Sequence, residues 1–212
     1  MSDKREETPQ LDPPGPPPEQ LRDHDGDSDL ILRRWRTTDI EGLYAAASRS
    51  LAELAQWMPW AAKGYTRAGA EGFLAHTAGH AWDAGQVYDF AIIAEGRIIG
   101  SCGLSRGIGP GGLEIGYWIA SDATGRGWAT RAAAMLARAA VAMGADRVQI
   151  RHDEANERSA AVPRRLGFRC LGEVPPVDGL PIPGTRSPKD WVWQLDRADA
   201  RVLDQRAEKA VK

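Results

Sequence analysis

The feature that most constrains this chain is a glycine-rich turn between an apolar segment and a long amphipathic stretch. Residues 113–120 are apolar and typical of a strand, and Gly125-Arg126-Gly127 follows shortly after them. Beyond the turn, apolar residues recur at spacings of three and four as far as Gly144, which predicts a helix that ends at that glycine. Glycines allow close approach of the backbone, and the first N–H groups of a helix have no partner within it. This arrangement predicts a site that binds an anion through main-chain amides.

The rest of the chain alternates between strand and helix patterns. A capping residue at Thr38 or Asp39 begins one predicted helix, with Leu43, Ala46 and Ala47 on its apolar side, and two further helices are predicted at about 67–84 and 156–166. Apolar, β-branched runs predict further strands at 30–35, 87–94, 97–104, 148–151, 168–174 and 191–195. The resulting order predicts an α/β (α+β) fold, in which helices cover both faces of a sheet of mixed strand direction.

The two ends of the chain differ in composition from its middle. Residues 1–29 contain six prolines and carry nine acidic against three basic residues, a net charge of −6, whereas the remaining 20 acidic and 24 basic residues give +4. A proline-rich, acidic segment with few apolar residues cannot bury enough surface to offset its ordering entropy. We therefore predict a disordered tail at 1–29, one domain at 30–196, and a charged, helical tail at 197–212.

Composition also excludes several classes of protein. The body is only mildly basic, and no stretch approaches the length of a membrane span, so neither a nucleic-acid partner nor a membrane is expected. Cys102 and Cys170 form no Cys-x-x-Cys motif, and no secretory leader is evident, which favours a cytoplasmic location. The four histidines lack metal-ligand spacing, so no metal is predicted.

Three segments in a fixed order carry a resemblance to a known family. They are Leu113-Glu114-Ile115-Gly116-Tyr117-Trp118-Ile119, the glycine turn, and Asn156-Glu157-Arg158-Ser159 with Leu166-Gly167-Phe168. Together they resemble the GNAT superfamily of acyl-CoA-dependent N-acetyltransferases. With Trp57-Met58-Pro59-Trp60, they look closest to the RimJ/RimL-like subfamily that acetylates the N-termini of ribosomal proteins. The resemblance covers about residues 30–196 and implies a mostly antiparallel sheet of about seven strands.

The resemblance implies acetyl-CoA as co-substrate and a position for it. Its pyrophosphate would lie on the backbone amides of Thr124-Gly125-Arg126-Gly127-Trp128-Ala129-Thr130, where Thr124 replaces the family's usual Arg or Gln. Arg126 either contacts the diphosphate or is a solvated loop residue. The pantetheine arm would pair with free backbone groups at Ile119 and Ala120, and Asn156 would hold the pantetheine region.

The resemblance also implies catalytic and acceptor-binding residues. Glu114 would take the proton of the acceptor amine; the alternative is a salt-bridged glutamate at a strand end. Many relatives carry a tyrosine acid seven residues after the Asn, but Pro163 stands there, so Ser159 would protonate the leaving thiolate, unless no acid is needed. Trp57, Trp60 and Tyr117 would form a wall of the acceptor groove, unless the tryptophans simply pack in the core.

These expectations combine into one function with rivals. The chain is predicted to move an acetyl group from acetyl-CoA to a primary amine, such as a protein N-terminus, by direct attack in a ternary complex. The acceptor is alternatively a small amine, an antibiotic or a lysine side chain, and the acyl group is alternatively longer than acetyl. A non-catalytic acyl-CoA-binding module and a nucleotide-binding protein are rivals of another class. The protein is expected to be a monomer or a homodimer.

Overall fold

Eight strands form one open sheet in the computed structural model, which describes residues 15–25, 28–175 and 189–203. The strands are β1 Gln20–Asp25, β2 Ser28–Arg34, β3 Val87–Ala94, β4 Arg97–Ser105, β5 Gly112–Ile119, β6 Arg147–Asp153, β7 Arg169–Val174 and β8 Asp190–Asp196. The helices are α1 Ile40–Ser48, α2 Leu51–Leu54, α3 Arg67–Ala75, α4 Trp128–Met143 and α5 Glu157–Leu166. Short 3-10 turns occupy Thr37–Asp39, Ser121–Ala123 and Arg197–Asp199.

The sheet is mixed and mostly antiparallel, as predicted. Its strand order is β1-β2-β3-β4-β5-β6-β8-β7, and of these described strands only β5 and β6 pair in parallel. One face carries α4 and α5 over a large core that includes Phe90 and Ile92, and the other carries α1 and α3 over a smaller cluster that includes Ala91. Since successive strand residues point to opposite faces, these two clusters lie on opposite sides of the sheet. All seven predicted strands are present, and β1 is an additional one.

The prediction of a disordered tail at 1–29 is wrong for residues 20–25, which form β1 beside β2. Arg131 on α4 explains this strand, because its Nε donates to Asp23 Oδ2 at 2.7 Å and its Nη1 donates to Ser28 Oγ at 2.9 Å. At least one acidic residue of the segment, Asp23, is therefore a specific partner of Arg131 on α4. Residues 1–14 and 26–27 lie outside the described residues.

Two other predicted segments are described only in part. The helical tail predicted at 197–212 is described to residue 203 and begins with the 3-10 turn Arg197–Asp199. The chain between the predicted strands at 168–174 and 191–195 is described only at Pro175 and from residue 189 onward. The remainder of both segments lies outside the described residues.

The helix predicted at 67–84 changes its geometry partway along. α3 ends at Ala75 and continues as a π-helical turn, His76–Ala81. The sequence contains three glycines in this region, which weaken the regular helix. Such wider turns are rare and often found at functional sites. This one places the buried hydroxyl of Thr77 against Asp89 on β3, where it donates a hydrogen bond to Oδ2.

Among the described glycines, Gly100 has the closest neighbouring backbone atom. It lies beside a β-bulge, since Ile92 pairs with Gly100 while the next residue, Ile93, pairs with Ile98. A Cβ at Gly100 would lie 2.2 Å from the carbonyl oxygen of Trp118 on β5. The neighbouring strand therefore leaves space only for a glycine.

We expect Gly100→Ala to lower the free energy of unfolding by about 2–3 kcal/mol, because β4 and β5 must move apart to accept the methyl group. A shift of the urea midpoint at unchanged slope would measure this loss. Gly116→Ala is the matched control on β5, since no atom of the described part of the chain lies within 4 Å of a Cβ built there. Equal midpoints for the two variants would contradict the prediction.

Candidate active site

A wedge-shaped cleft opens where the two parallel strands separate. β5 and β6 pair only from Gly112 with Arg147 to Ile115 with Ile150. Beyond that point β5 continues along β4 and β6 continues along β8. Among the described residues, no strand pairs with residues 116–119 of β5 on the side facing β6. Unpaired strand backbone is a template for another extended chain, so this edge suits a ligand with amide groups.

The backbone groups of Ile119 and Ala120, both predicted to pair with the pantetheine arm, point in different directions. The N–H of Ala120 donates to the carbonyl of Ile99 at 2.7 Å, and the carbonyl of Ala120 accepts from the N–H of Ala123 at 2.8 Å. Because hydrogen bonding alternates along an antiparallel pair, the N–H of the preceding residue, Ile119, points away from β4 and toward the cleft. Ile119 thus presents its backbone to a ligand there, whereas both backbone groups of Ala120 are engaged within the protein.

The glycine turn lies at the open end of the same strand. Gly125 and Gly127 adopt φ angles of 79° and 78°, and both are exposed. Since the first hydrogen bond of α4 runs from Arg131 N–H to Gly127 O, the N–H groups of Trp128, Ala129 and Thr130 precede the helical ladder. The mouth of the helix is therefore open, and it carries donors together with the positive end of the helix dipole. Here an anion can bind to main chain alone.

The side chains around this turn have roles within the fold. Thr124 Oγ1 donates to the carbonyl of Ser121 at 2.9 Å. The Trp128 ring is buried in the core, so at that position only the backbone faces a ligand. Arg126 is ion-paired with Glu95, with Nη1 donating to Oε2 at 2.9 Å, and its guanidinium lies 5.1 Å from the centre of the Trp128 ring. Arg126 is exposed beside the turn, so a bound diphosphate would compete with Glu95 for it.

A pair of hydroxyl groups bridges the cleft between β5 and α5. The oxygens of Tyr117 Oη and Ser159 Oγ are 3.0 Å apart, and the Tyr117 hydroxyl also donates to the Ser159 carbonyl at 3.2 Å. Asn156 caps α5, because its Oδ1 accepts from the Ser159 N–H at 3.0 Å. Tyr117 and Ser159, separated widely in sequence, thus meet where the strands diverge.

Pro163 explains why this contact forms. A residue at that position would normally donate its N–H to the carbonyl of Ser159, but proline has no N–H. The Ser159 carbonyl is left without its helical donor, and the Tyr117 hydroxyl supplies a replacement. Burial raises the pKa of Tyr117 to about 12, although the hydrogen bond with Ser159 lowers it. The phenol therefore keeps its proton at neutral pH.

Glu114 lies near the start of β5 on the face that carries α1 and α3. Burial raises the pKa of this carboxyl, the charge of Arg151 lowers it, and the charge of Asp190 raises it. Its Oε2 is 3.7 Å from Arg151 Nε, which has no hydrogen-bond partner among the described residues. Glu114 is thus ion-paired, the alternative that the sequence left open beside a role as base, and it is also partly desolvated.

An acceptor cavity of about 500 Å3 opens on the same face of the sheet. We use this name for the space whose lining includes Met58, Trp60, Tyr65, Asp89, Tyr117 and Trp118. The predicted residues Trp60 and Tyr117 therefore contribute to one wall, whereas Trp57 is not part of the lining. Trp60 is 39% exposed, so it is not simply packed in the core.

Asp89 is the residue that sequence reasoning missed. It interrupts the apolar run of β3, Val-Tyr-Asp-Phe-Ala-Ile-Ile-Ala, and faces the cavity. A charged residue within a buried strand is uncommon unless it is paired or functional, so the signal was present in the sequence. Burial raises the pKa of the Asp89 carboxyl. The hydrogen bond from Thr77 and the charge of His76 lower this pKa in part.

Two further properties concern metals and membranes. Within residues 15–25, 28–175 and 189–203, no three potential metal ligands come together. No helix in that part of the chain has both the length and the apolar character needed to cross a membrane.

A family model supports the resemblance seen in the sequence. The model described as "Acetyltransferase (GNAT) domain" matches residues 29–169, about two thirds of the chain. This range contains the cleft, the glycine turn and the acceptor cavity. A comparison with curated protein sequences gives no significant match.

Solved structures share the fold at low sequence identity. The microcin C7 self-immunity acetyltransferase MccE, in complex with acetyl-CoA and AMP, is 19% identical with a TM-score of 0.70, over 79% of this chain and 92% of that one. RimL, the ribosomal L7/L12 alpha-N-protein acetyltransferase in complex with coenzyme A, is 20% identical with a TM-score of 0.68, over 79% and 93%. The ribosomal-protein-S5-alanine acetyltransferase from Vibrio fischeri is 21% identical with a TM-score of 0.70, over 84% and 98%.

Proposed function

The chain belongs to the GNAT acetyltransferase family, and we propose that it transfers an acetyl group from acetyl-CoA to the primary amine of a protein N-terminus or a similar acceptor. Acetyl-CoA is the co-substrate of GNAT enzymes, and a solved relative of the same fold binds it. The observation that carries the proposal is the open helix mouth beside an unpaired strand edge, next to a separate acceptor cavity. Two substrates can therefore reach one cleft from different sides.

Main-chain groups of the protein are available along the length of a bound acetyl-CoA molecule, from its diphosphate to its pantetheine arm. The amides from Gly125 to Thr130 would hold the diphosphate, and the exposed edge of β5 at Ile119 would pair with the amides of the pantetheine arm. Bound in this way, acetyl-CoA supplies an activated thioester in the cleft. Holding two reactants in one geometry accounts for much of the rate gain in such a reaction.

Glu114 would prepare the acceptor. An amine must lose a proton to attack a carbonyl carbon, and most amines are protonated near neutral pH. The raised pKa of the Glu114 carboxyl brings it nearer to working pH than an ordinary glutamate, which favours general-base action directly or through a water molecule. As the new C–N bond forms and the C–S bond breaks, the amine proton passes to Glu114.

Ser159 and Tyr117 would serve the leaving group. Their hydroxyls lie together at the point where β5 leaves β6, and both carry protons at neutral pH. As Ser159 gives its proton to the departing sulfur, Tyr117 can pass its own proton to Ser159 Oγ, 3.0 Å away, and solvent water then returns a proton to the phenolate. The tyrosine acid of many relatives, absent at Pro163, thus has a substitute that enters from β5.

We also propose that the enzyme works in the cytoplasm. Cys102 is buried and Cys170 exposed, and neither forms a disulfide. An exposed free thiol suits a reducing compartment.

The direct test is release of free thiol from acetyl-CoA in the presence of peptides with N-terminal Ser or Ala, small primary amines and lysine. We expect turnover with at least one of these acceptors, and faster turnover with acetyl-CoA than with succinyl-CoA. Calorimetry with CoA runs in parallel. CoA binding without turnover on any acceptor would support a non-catalytic binding module, and a folded protein that binds no CoA would refute the proposal altogether.

A further inference from the structure

The acceptor cavity contains the buried carboxylate of Asp89, on which the charge of His76 acts without forming an ion pair among the described residues. Asp89 Oδ2 accepts the hydrogen bond of Thr77, but no lysine or arginine of the described residues forms an ion pair with this carboxylate. Oδ1 lies above β4, because a Cβ built on Gly103 would be 2.2 Å from it. A desolvated carboxylate that no ion pair neutralises is costly to a fold. A ligand that brings positive charge into the cavity would relieve that cost.

Aromatic rings line the same cavity. Trp60 has its ring centre 6.0 Å from that of Trp118 and 5.1 Å from that of Tyr65. The faces of tryptophan and tyrosine attract cations, and the attraction is stronger where water is excluded. The rings and the Asp89 carboxylate therefore favour the same kind of group, a cation on an apolar body.

The position of Asp89 separates this cation from the reacting nitrogen. Asp89, Gly103 and Gly116 lie in one row across β3, β4 and β5, and the cleft lies on the far side of β5. With strands about 4.8 Å apart, a group held above β4 lies roughly 5–10 Å from the cleft. A nucleophile must come within about 3–3.5 Å of the carbon that it attacks. The group held by Asp89 is therefore not the reacting amine.

The glycines leave the path between the two positions clear. Gly103 has no side chain to cover Asp89, and none of the described residues has an atom within 4 Å of a Cβ built on Gly116. An extended chain can cross this floor from Asp89 to the edge of β5.

We propose that the acceptor of this enzyme carries a second cationic group several bonds from the reacting amine, and that Asp89 binds this group while Thr77 positions the carboxylate. The substrate class is thus a diamine or a larger compound with two separated amino groups. This inference rests on the proposed acetyl transfer and deepens it by naming the acceptor.

The test compares linear α,ω-diamines of increasing length with the linear monoamines of equal length, at saturating acetyl-CoA. One diamine should be long enough to reach from Asp89 across Gly103 and Gly116 to the cleft. For this diamine we expect kcat/KM to exceed that of the monoamine by about 10–100-fold, the usual range for a hydrogen bond to a charged group. Asp89→Asn should reduce this ratio to about one, mainly through KM. Asp83→Asn, at an exposed aspartate paired with Arg34, is the matched control and should keep the wild-type ratio.

The outcomes separate this inference from the proposed function. Equal kcat/KM for diamines and monoamines in the wild-type enzyme, or an unchanged ratio in Asp89→Asn, would overturn the role of Asp89 while leaving acetyl transfer intact. No turnover with any amine would instead refute the proposed function.

If Asp89→Asn does not fold, Gly116→Leu gives a second readout. It should raise the KM of the diamine and leave the KM of acetyl-CoA unchanged, and an unchanged diamine KM would contradict the proposed path.

Discussion

Glu114→Gln should lower kcat/KM for acetyl transfer by roughly 10²–10⁴-fold near neutral pH, the usual contribution of a general base. Glutamine keeps the size and hydrogen-bonding groups of the side chain but cannot accept the amine proton. Initial rates of thiol release at varied acceptor concentration measure the loss. Glu53→Gln, at an exposed glutamate on α2, is a control that removes one negative charge elsewhere, and we expect it to retain the wild-type rate.

The pH profile tests the same assignment independently. A base acts only when deprotonated, so activity should rise with pH through the pKa of Glu114, which burial raises above that of an ordinary glutamate. The charge of Arg151 holds this pKa down, so Arg151→Gln should move the acidic limb to higher pH. Glu114→Gln should abolish that limb. A wild-type rate in Glu114→Gln across the pH range would remove Glu114 from the role of base.

Local patterns in the sequence predicted most of the fold. α4 begins directly after Gly127 and ends before Gly144, which adopts the left-handed conformation that the ends of helices favour. The hairpin of β3 and β4 follows from two β-branched runs around Glu95-Gly96. These features depend on neighbours in the chain, so sequence periodicity and turn chemistry are sufficient to find them.

Features that depend on distant partners could not be predicted in the same way. The acidity of residues 1–29 indicated disorder, and nothing local showed that Asp23 meets Arg131. Pro163 predicted a missing donor for the Ser159 carbonyl, but only the divergence of β5 and β6 brings Tyr117 to it. Asp89 was visible as a charge in an apolar strand, yet its access to the acceptor cavity depends on Gly103 across the sheet.

The double variant Gly125→Ala/Gly127→Ala should weaken CoA binding by about a hundredfold, and Gly127→Ala alone by about tenfold. Both glycines hold positive φ angles, a conformation that costs an alanine roughly 1–2 kcal/mol per residue, and each 1.4 kcal/mol corresponds to a factor of ten in affinity. If the turn relaxes to negative φ, its N–H groups no longer point toward a bound diphosphate. Titration calorimetry with CoA gives the affinity, and thermal unfolding shows whether the variant is folded.

Gly144→Ala separates loss of the anion site from general strain in α4. Gly144 ends the same helix at a φ of 111°, so alanine there imposes a backbone cost of the same kind at the opposite end of α4. We expect Gly144→Ala to lower the melting temperature and to retain wild-type affinity for CoA, whereas the turn variants lose affinity at a comparable melting temperature.

Because main-chain amides bind without any particular side chain, Arg126→Ala should weaken binding far less than the double variant. If Arg126→Ala abolishes binding while the glycine variants retain it, the diphosphate is held by a side chain and not by the helix mouth.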